Sequence, residues 1–265
     1  MKSGKSTVQI INELCFDKNG LLLDEFEKLF SSLFEHADIH VSIIRTIAKR
    51  RYGISRKDLI KAHKLKSVGK ISSILNELMA AGFIERYIPF GKKIKDHYYR
   101  VTDEYTLFHL HWVEPFKADP RALSQAGYWQ KISNTQKVAV WAGYTFEEIC
   151  YKHVYQISKA LALDLIIWTV SGWQVSNVEE GAQIDLIFDR NDDVVSICEI
   201  KYSTKSFKID RVYASRLNKK LEVFEKTTET KKSLQLIMIT NNSLCENVWS
   251  QELVAASITL EDLFA

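Results

Sequence analysis

Residues 181–201 read Gly181-Ala-Gln-Ile-Asp185-Leu-Ile-Phe-Asp-Arg190-Asn-Asp-Asp-Val-Val-Ser-Ile-Cys-Glu199-Ile-Lys201. Two apolar runs flank a polar Arg-Asn-Asp-Asp step, which is the pattern of a β-hairpin. Side chains two residues apart on a strand share a face, so Glu199 and Lys201 project together. Whether Asp185 joins them depends on the turn. A two-residue turn at Asn191-Asp192 sets Asp185 opposite Cys198 and leaves Glu199 on the other face. A three-residue turn from Asn191 to Asp193, or a bulge, sets Asp185 opposite Glu199. We expect the second register, because it gathers two carboxylates and an ammonium in one small space.

Such a gathering suits phosphodiester cleavage. Carboxylates are hard oxygen ligands for Mg²⁺ (or Mn²⁺). A bound cation polarises the phosphate and lowers the pKa of a coordinated water. The lysine orients the attacking water and offsets charge that builds on the phosphate. Taken alone, Glu-x-Lys describes an ordinary surface pair. It gains meaning from its setting, Asp-x13-Glu-x-Lys on two apolar strands.

The 265 residues, 46% hydrophobic and 26% charged, suffice for one large or two medium domains with a real core. Three prolines and ten glycines argue against long linkers. No apolar run approaches the roughly 20 residues that span a bilayer. No apolar signal-like run opens the chain, and Cys15, Cys150, Cys198 and Cys245 lie far apart. They are expected as reduced thiols of a cytoplasmic protein. The net charge of +3 is unevenly spread: residues 37–105 carry 15 Lys and Arg against 7 Asp and Glu, and residues 141–265 carry 13 against 18. A basic block before an acidic one suggests two modules, the first suited to nucleic acid.

Residues 1–36 include Ser3-Gly-Lys-Ser-Thr7, which looks like the end of a phosphate-binding loop but lacks the strand and upstream glycine such a loop needs. From Asp24 onward, Phe26, Leu29, Phe30, Leu33 and Phe34 fall at helical spacing and predict a packing helix. Residues 37–105 carry the order of a winged helix-turn-helix. Val41, Ile44, Ile47 and Ala48 mark a first helix, and Ser55 caps a second. Ser67 caps a third, with Ile71, Ile74, Leu75, Leu78 and Met79 inward and Gly82 at its end. Phe83 to Ile88 and His97 to Val101 then form a hairpin around the basic turn Pro89 to Lys95. In this motif the third helix enters a major groove and the wing lies along phosphate. The candidate DNA contacts are Ser67, Lys70 and Ser73 on the helix, and Arg86, Lys92, Lys93, Lys95 and Arg100 on the wing. Winged helices also dock proteins; the basic charge favours DNA.

Residues 106–140 form an aromatic-rich connector, expected to pack the two modules together. His109 and His111 there have no third ligand nearby in sequence and are read as structural. Residues 141–265 are an α/β module. Thr145 is expected to cap a helix that places Glu147 in its first turn. Leu165 to Val170 starts the sheet, and the hairpin follows. A basic helix from Asp210 to Lys226 places Arg216, Lys219 and Lys220 as candidate backbone contacts. Leu234 to Thr240 reads as a buried strand, and Val254 to Thr259 adds another.

Asp185, Glu199 and Lys201 resemble the signature of the PD-(D/E)XK nuclease superfamily, with Ile184 where its name has proline. The phrases Gly-Ala-Gln-Ile-Asp-Leu-Ile-Phe, Cys-Glu-Ile-Lys-Tyr-Ser, Pro-Phe-Gly-Lys-Lys and Thr-Leu-Glu-Asp-Leu-Phe resemble a narrower group, the region of archaeal-type AAA+ ATPases downstream of the ATPase core. The resemblance implies an α+β two-domain chain, a winged helix-turn-helix followed by a restriction-endonuclease-like α/β/α domain. It implies that Asp185 and Glu199 hold Mg²⁺ (or Mn²⁺), that Lys201 acts on water, and that Glu147, on the helix before the sheet, joins them. The ATPase core has no counterpart, so no ATPase activity is expected. The expected function is a DNA-binding protein with a Mg²⁺-dependent deoxyribonuclease domain. Its rival is a non-catalytic DNA- or protein-binding module working with a separate AAA+ ATPase. DNA, an AAA+ ATPase module and a second copy of the chain are the expected partners.

Overall fold

The computed structural model describes residues 4–63, 68–93, 96–175 and 181–264. It is a mixed α+β chain with two sheets that divides into two compact units, residues 1–87 with 97–140, and residues 88–96 with 141–265. Among the described residues no helix is long and apolar enough to cross a membrane.

The first unit begins with α1 (Thr7–Cys15), α2 (Glu25–Leu33) and α3 (Ala37–Ala48). Next come β1 (Ile54–Ser55), α4 (Arg56–His63), α5 (Val68–Ala80), β2 (Ile84–Tyr87) and β3 (Tyr98–Val101). The strands form an antiparallel sheet in the order β1-β3-β2. Helical spacing decides which side chains are inside: Phe26 and Phe30, then Ile43, Ile44 and Ile47, then Ile71, Ile74, Leu75 and Leu78 build one core. Ser55 Oγ accepts from Asp58 N at 3.1 Å and so caps α4. Gly53 has φ +68°, and a Cβ there would stand 2.5 Å from Tyr99 O, so no other residue fits this β1 entry.

The aromatic segment folds into α6 (Glu104–Phe108), a π-helical turn (His109–Val113), α7 (Glu114–Ala118), α8 (Pro120–Leu123) and α9 (Tyr128–Ile132). It falls within the first unit. Phe16, at the end of α1, stacks on Trp129 at 5.3 Å and meets Phe108, Phe116 and Tyr128 edge-on or tilted. Buried Asn12 accepts from Trp129 N at 2.9 Å. These contacts with α1 draw the segment into the first unit.

The second unit follows. Its boundary falls inside α10 (Gln136–Lys152), after which come α11 (Val154–Ala160), β4 (Trp168–Val175), β5 (Ala182–Arg190) and β6 (Val194–Lys201). Then come α12 (Arg211–Thr228), β7 (Ser233–Thr240), α13 (Val248–Leu253), β8 (Val254–Thr259) and a 3₁₀ turn at Glu261–Phe264. The sheet order is β4-β5-β6-β7-β8, antiparallel up to β6 and parallel beyond it. The parallel pairs need crossovers, which α12 and α13 supply. Phe146, Cys150 and Ile157 cover one face with Leu186, Phe188 and Cys198. Ala214, Leu217 and Phe224 cover the other with Ile187, Val195 and Ile197.

Two local expectations change. Thr145 lies inside α10 rather than at its cap, and its hydroxyl donates to Trp141 O at 3.1 Å. The sheet starts at Trp168, and Leu165 is 99% exposed. A run of apolar residues alone does not tell a strand from the loop that leads into it.

His109 yields a stability test. Its ring is fully buried on Phe26, 4.4 Å away and nearly parallel, and neither nitrogen has a hydrogen-bond partner among the described residues. Burial lowers its pKa to about 4, despite Glu27 Oε1 lying 3.9 Å from Nε2. An unfolded histidine titrates near ~6.5, so between ~6.5 and ~4 the unfolded state binds the extra proton and stability falls on acidification. His109→Phe should stabilise the fold by about 1–3 kcal/mol at neutral pH and flatten the acid side of the stability profile. Urea titrations from neutral to acid pH measure both; an unchanged profile would contradict the assignment.

Candidate functional site at the β5–β6 hairpin

The hairpin turns over residues 191–193, with Asp193 left-handed at φ 59°. Leu186 pairs with Cys198, Ile187 with Ile197, Phe188 with Ser196 and Asp189 with Val195. One further step along this register brings Asp185 opposite Glu199. The three-residue turn therefore produces the register expected from the sequence. Against β4 the same strand carries a bulge: Ser171 pairs with Ile187 and Trp173 with Ile184, so Asp185 and Leu186 together face Gly172. Bulges of this kind re-aim a side chain at the edge of regular pairing.

Glu199 is 3% exposed. Its Oε1 accepts from Tyr213 Oη at 2.5 Å and lies 2.8 Å from Lys201 Nζ, and its Oε2 accepts from Lys220 Nζ. Burial alone would raise its pKa, but Lys201 and Lys220 outweigh it and hold the carboxyl down at about 2. Burial likewise works against the Lys201 ammonium, but Glu199 prevails and raises it, with smaller help from Asp185 and Glu147. Burial and Glu199 together push the Tyr213 phenol up. At neutral pH Glu199 is thus an anion between two cations under a neutral phenol.

Asp185 is 8% exposed, and its Oδ1 accepts from Gln183 Nε2 at 2.5 Å. Its charge reaches Lys201, Tyr213 and Cys198. Glu147 is half-buried on α10, and its charge reaches Lys201 and Cys150. The charges of three carboxylates from three elements are therefore felt at one lysine, with Glu199 in direct contact with it. Such hard donors suit Mg²⁺ or Mn²⁺ in kind. Yet among the described residues no three His, Cys, Asp or Glu stand close enough to share an ion, and both Glu199 oxygens already accept hydrogen bonds. Glu199 could take up a cation only by exchanging a lysine for it.

The candidate DNA contacts divide between the two units. Lys70, Ser73 and Arg86 are exposed in the first unit, although Ser73 Oγ donates to Glu77. Lys92 and Lys93 are exposed but belong to the second unit. Ser67 and Lys95 lie outside the described residues. Arg100 is 6% exposed, bonded to Glu85 across the β2–β3 pair with its guanidinium over Tyr87, so it faces inward rather than toward phosphate. The first unit does hold an open groove of about 820 Å³ lined by Lys49, Arg50 and Lys61 with Thr46, Ser55 and Tyr98. Asp58 is its acidic member.

Tyr213, Tyr151 and Gly172 belong to the site without having been singled out, and Lys220, expected as a candidate backbone contact, bonds Glu199 instead. Tyr213 and Lys220 are two helical turns apart and share a face of α12, which is visible in sequence. That this face meets Glu199 is not. No protein-family model, curated protein or solved structure matches the chain.

Glu199→Gln removes the anion between Lys201 and Lys220 and should cost about 3–5 kcal/mol by urea denaturation, with Lys220→Met costing less. Because the folded pKa of Glu199 is depressed, its contribution is complete above the ordinary carboxylate range and fades as pH falls toward about 2. The Gln variant should lack that part of the acid transition. Equal stability of variant and wild type would mean that the pair is not held as described.

Proposed function

We propose that the chain is a DNA-binding protein with a metal-dependent phosphodiesterase centre. In this reading the first unit is a winged helix-turn-helix and the second a restriction-endonuclease-like domain. The observation that carries it is the contact of Glu199 with Lys201 at 2.8 Å on a hairpin whose register runs Asp185 toward Glu199, with the charges of Asp185 and Glu147 felt at the same lysine. Mg²⁺ or Mn²⁺, when bound, would supply polarisation of the phosphate and a more acidic water. Asp185 and Glu147 would hold it. Lys201 would orient the attacking water and offset charge on the phosphate, kept cationic by Glu199. Lys220 adds a second cation that offsets anionic charge. DNA phosphates are drawn to Lys49, Arg50 and Lys61 in the groove, with Lys70 and Arg86 exposed in the same unit. A separate AAA+ ATPase and a second copy of this chain are the partners the sequence resemblance implies.

A second reading has an observation of its own. Glu199 is fully engaged by Tyr213, Lys201 and Lys220, as in a structural ion-pair network. On this reading the fold is a non-catalytic scaffold that binds DNA or a partner ATPase.

Supercoiled, branched and single-stranded DNA with Mg²⁺ or Mn²⁺ separates the two. Cleavage is expected from wild type, with a loss of about a hundredfold or more in Asp185→Ala and Lys201→Ala at retained fold. A wild type that binds DNA but never cuts favours the scaffold. Independently, Lys49→Ala with Lys61→Ala should lower the slope of log affinity against log salt by ~1 for each phosphate no longer neutralised. An unchanged slope places the DNA elsewhere.

A further inference from the structure

Tyr151 stands on α10 one turn after Glu147, so the two share a face of that helix. Its hydroxyl donates to the backbone carbonyl of Asp185. That carbonyl belongs to the bulge, where Asp185 and Leu186 oppose Gly172 alone. Gly172 is what lets the hydroxyl in: a Cβ there would lie 2.8 Å from Tyr151 Oη and 3.3 Å from Asp185 O. A bulge interrupts regular pairing, and a side-chain donor from another element can then fix its geometry. The ring of Tyr151 meanwhile packs against the apolar cluster on the α10 side of the sheet. The hydroxyl is thus delivered by a packed helix to the backbone of Asp185, at the point where β5 leaves regular pairing.

We propose that Tyr151, with Gly172 as its seat, is a positioning residue that holds the β5 bulge and so aims Asp185 toward Glu199 and Lys201. One helix then contributes both a carboxylate, Glu147, and the group that orients the second carboxylate. The inference rests on the phosphodiesterase reading for its purpose, but its geometry can be tested without it.

The test uses the full chain as wild type, Tyr151→Phe, Gly172→Ala and the double variant. Tyr151→Phe keeps the ring and removes only the hydroxyl. Two readouts are taken beside the melting temperature: Mn²⁺ affinity by calorimetry, and the Asp185 side-chain carboxyl ¹³C resonance, identified by its loss in Asp185→Asn. Tyr151→Phe should bind Mn²⁺ roughly tenfold more weakly and shift the Asp185 resonance, with little change in melting. Gly172→Ala should disturb the resonance more in wild type than beside Tyr151→Phe, because the clash is with the hydroxyl. An Asp185 resonance unmoved by Tyr151→Phe, or Mn²⁺ affinity unchanged in that variant, overturns the positioning role. Should wild type bind no Mn²⁺, the metal-dependent reading fails instead, and the Asp185 resonance alone decides whether Tyr151 positions it.

Discussion

Glu199 sits in the interior of a sheet, where an isolated carboxylate would be driven to protonate. It stays charged because Lys201 from its own strand and Lys220 from α12 close on it, with Tyr213 completing its hydrogen bonds. The charge therefore ties β6 to α12, and the two cannot shift past each other without exposing an unpaired ion. The face they share is otherwise apolar, with Val195, Ile197, Ala214, Leu217 and Phe224 at its centre.

From that anchor the remaining chemistry is arranged by layers. Helix α12 reaches Glu199 from one face of the sheet. Helix α10, packed by Phe146 and Cys150 on the other, carries Glu147 and Tyr151. Asp185 lies where the β5–β6 pairing stops and the bulge against β4 begins. It is thereby reachable from both sides, and its charge is felt at Tyr213 on α12 as well as at Lys201 on β6. Buried Cys150 and Cys198 beside it have their thiols pushed up chiefly by burial and so act as small apolar side chains.

The first unit is held differently. Its core is aliphatic and aromatic, and a second cluster of rings around Phe16 draws the segment after β3 back onto α1. Basic residues remain on its surface because that core has no use for them. Among the described lysines and arginines Arg100 is the buried one, taken inward by Glu85 and Tyr87. Lys49, Arg50 and Lys61 stay exposed along one groove.

Much of this was legible in order along the chain. Helical spacing in 25–33, 37–48 and 68–80, the alternation of the hairpin, and the parallel-type run before Thr240 are local patterns, and local patterns survive without knowledge of the fold. The register was narrowed to two by the length of the turn, and the pairing of Leu186 with Cys198 is the one that a three-residue turn gives. Three things were not legible. The bulge depends on Gly172 of a neighbouring strand and on Tyr151 of a helix. The inward turn of Arg100 depends on its cross-strand partner Glu85. The clamp on Glu199 depends on α12 packing across β6, which brings together residues 14 and 21 positions apart. The sequence by itself determined that Glu199 and Lys201 share a face of one strand, because strand periodicity is a property of the backbone. Only the tertiary structure decided which cations and hydroxyls surround them, because those arrive from other elements through packing that no local spacing encodes.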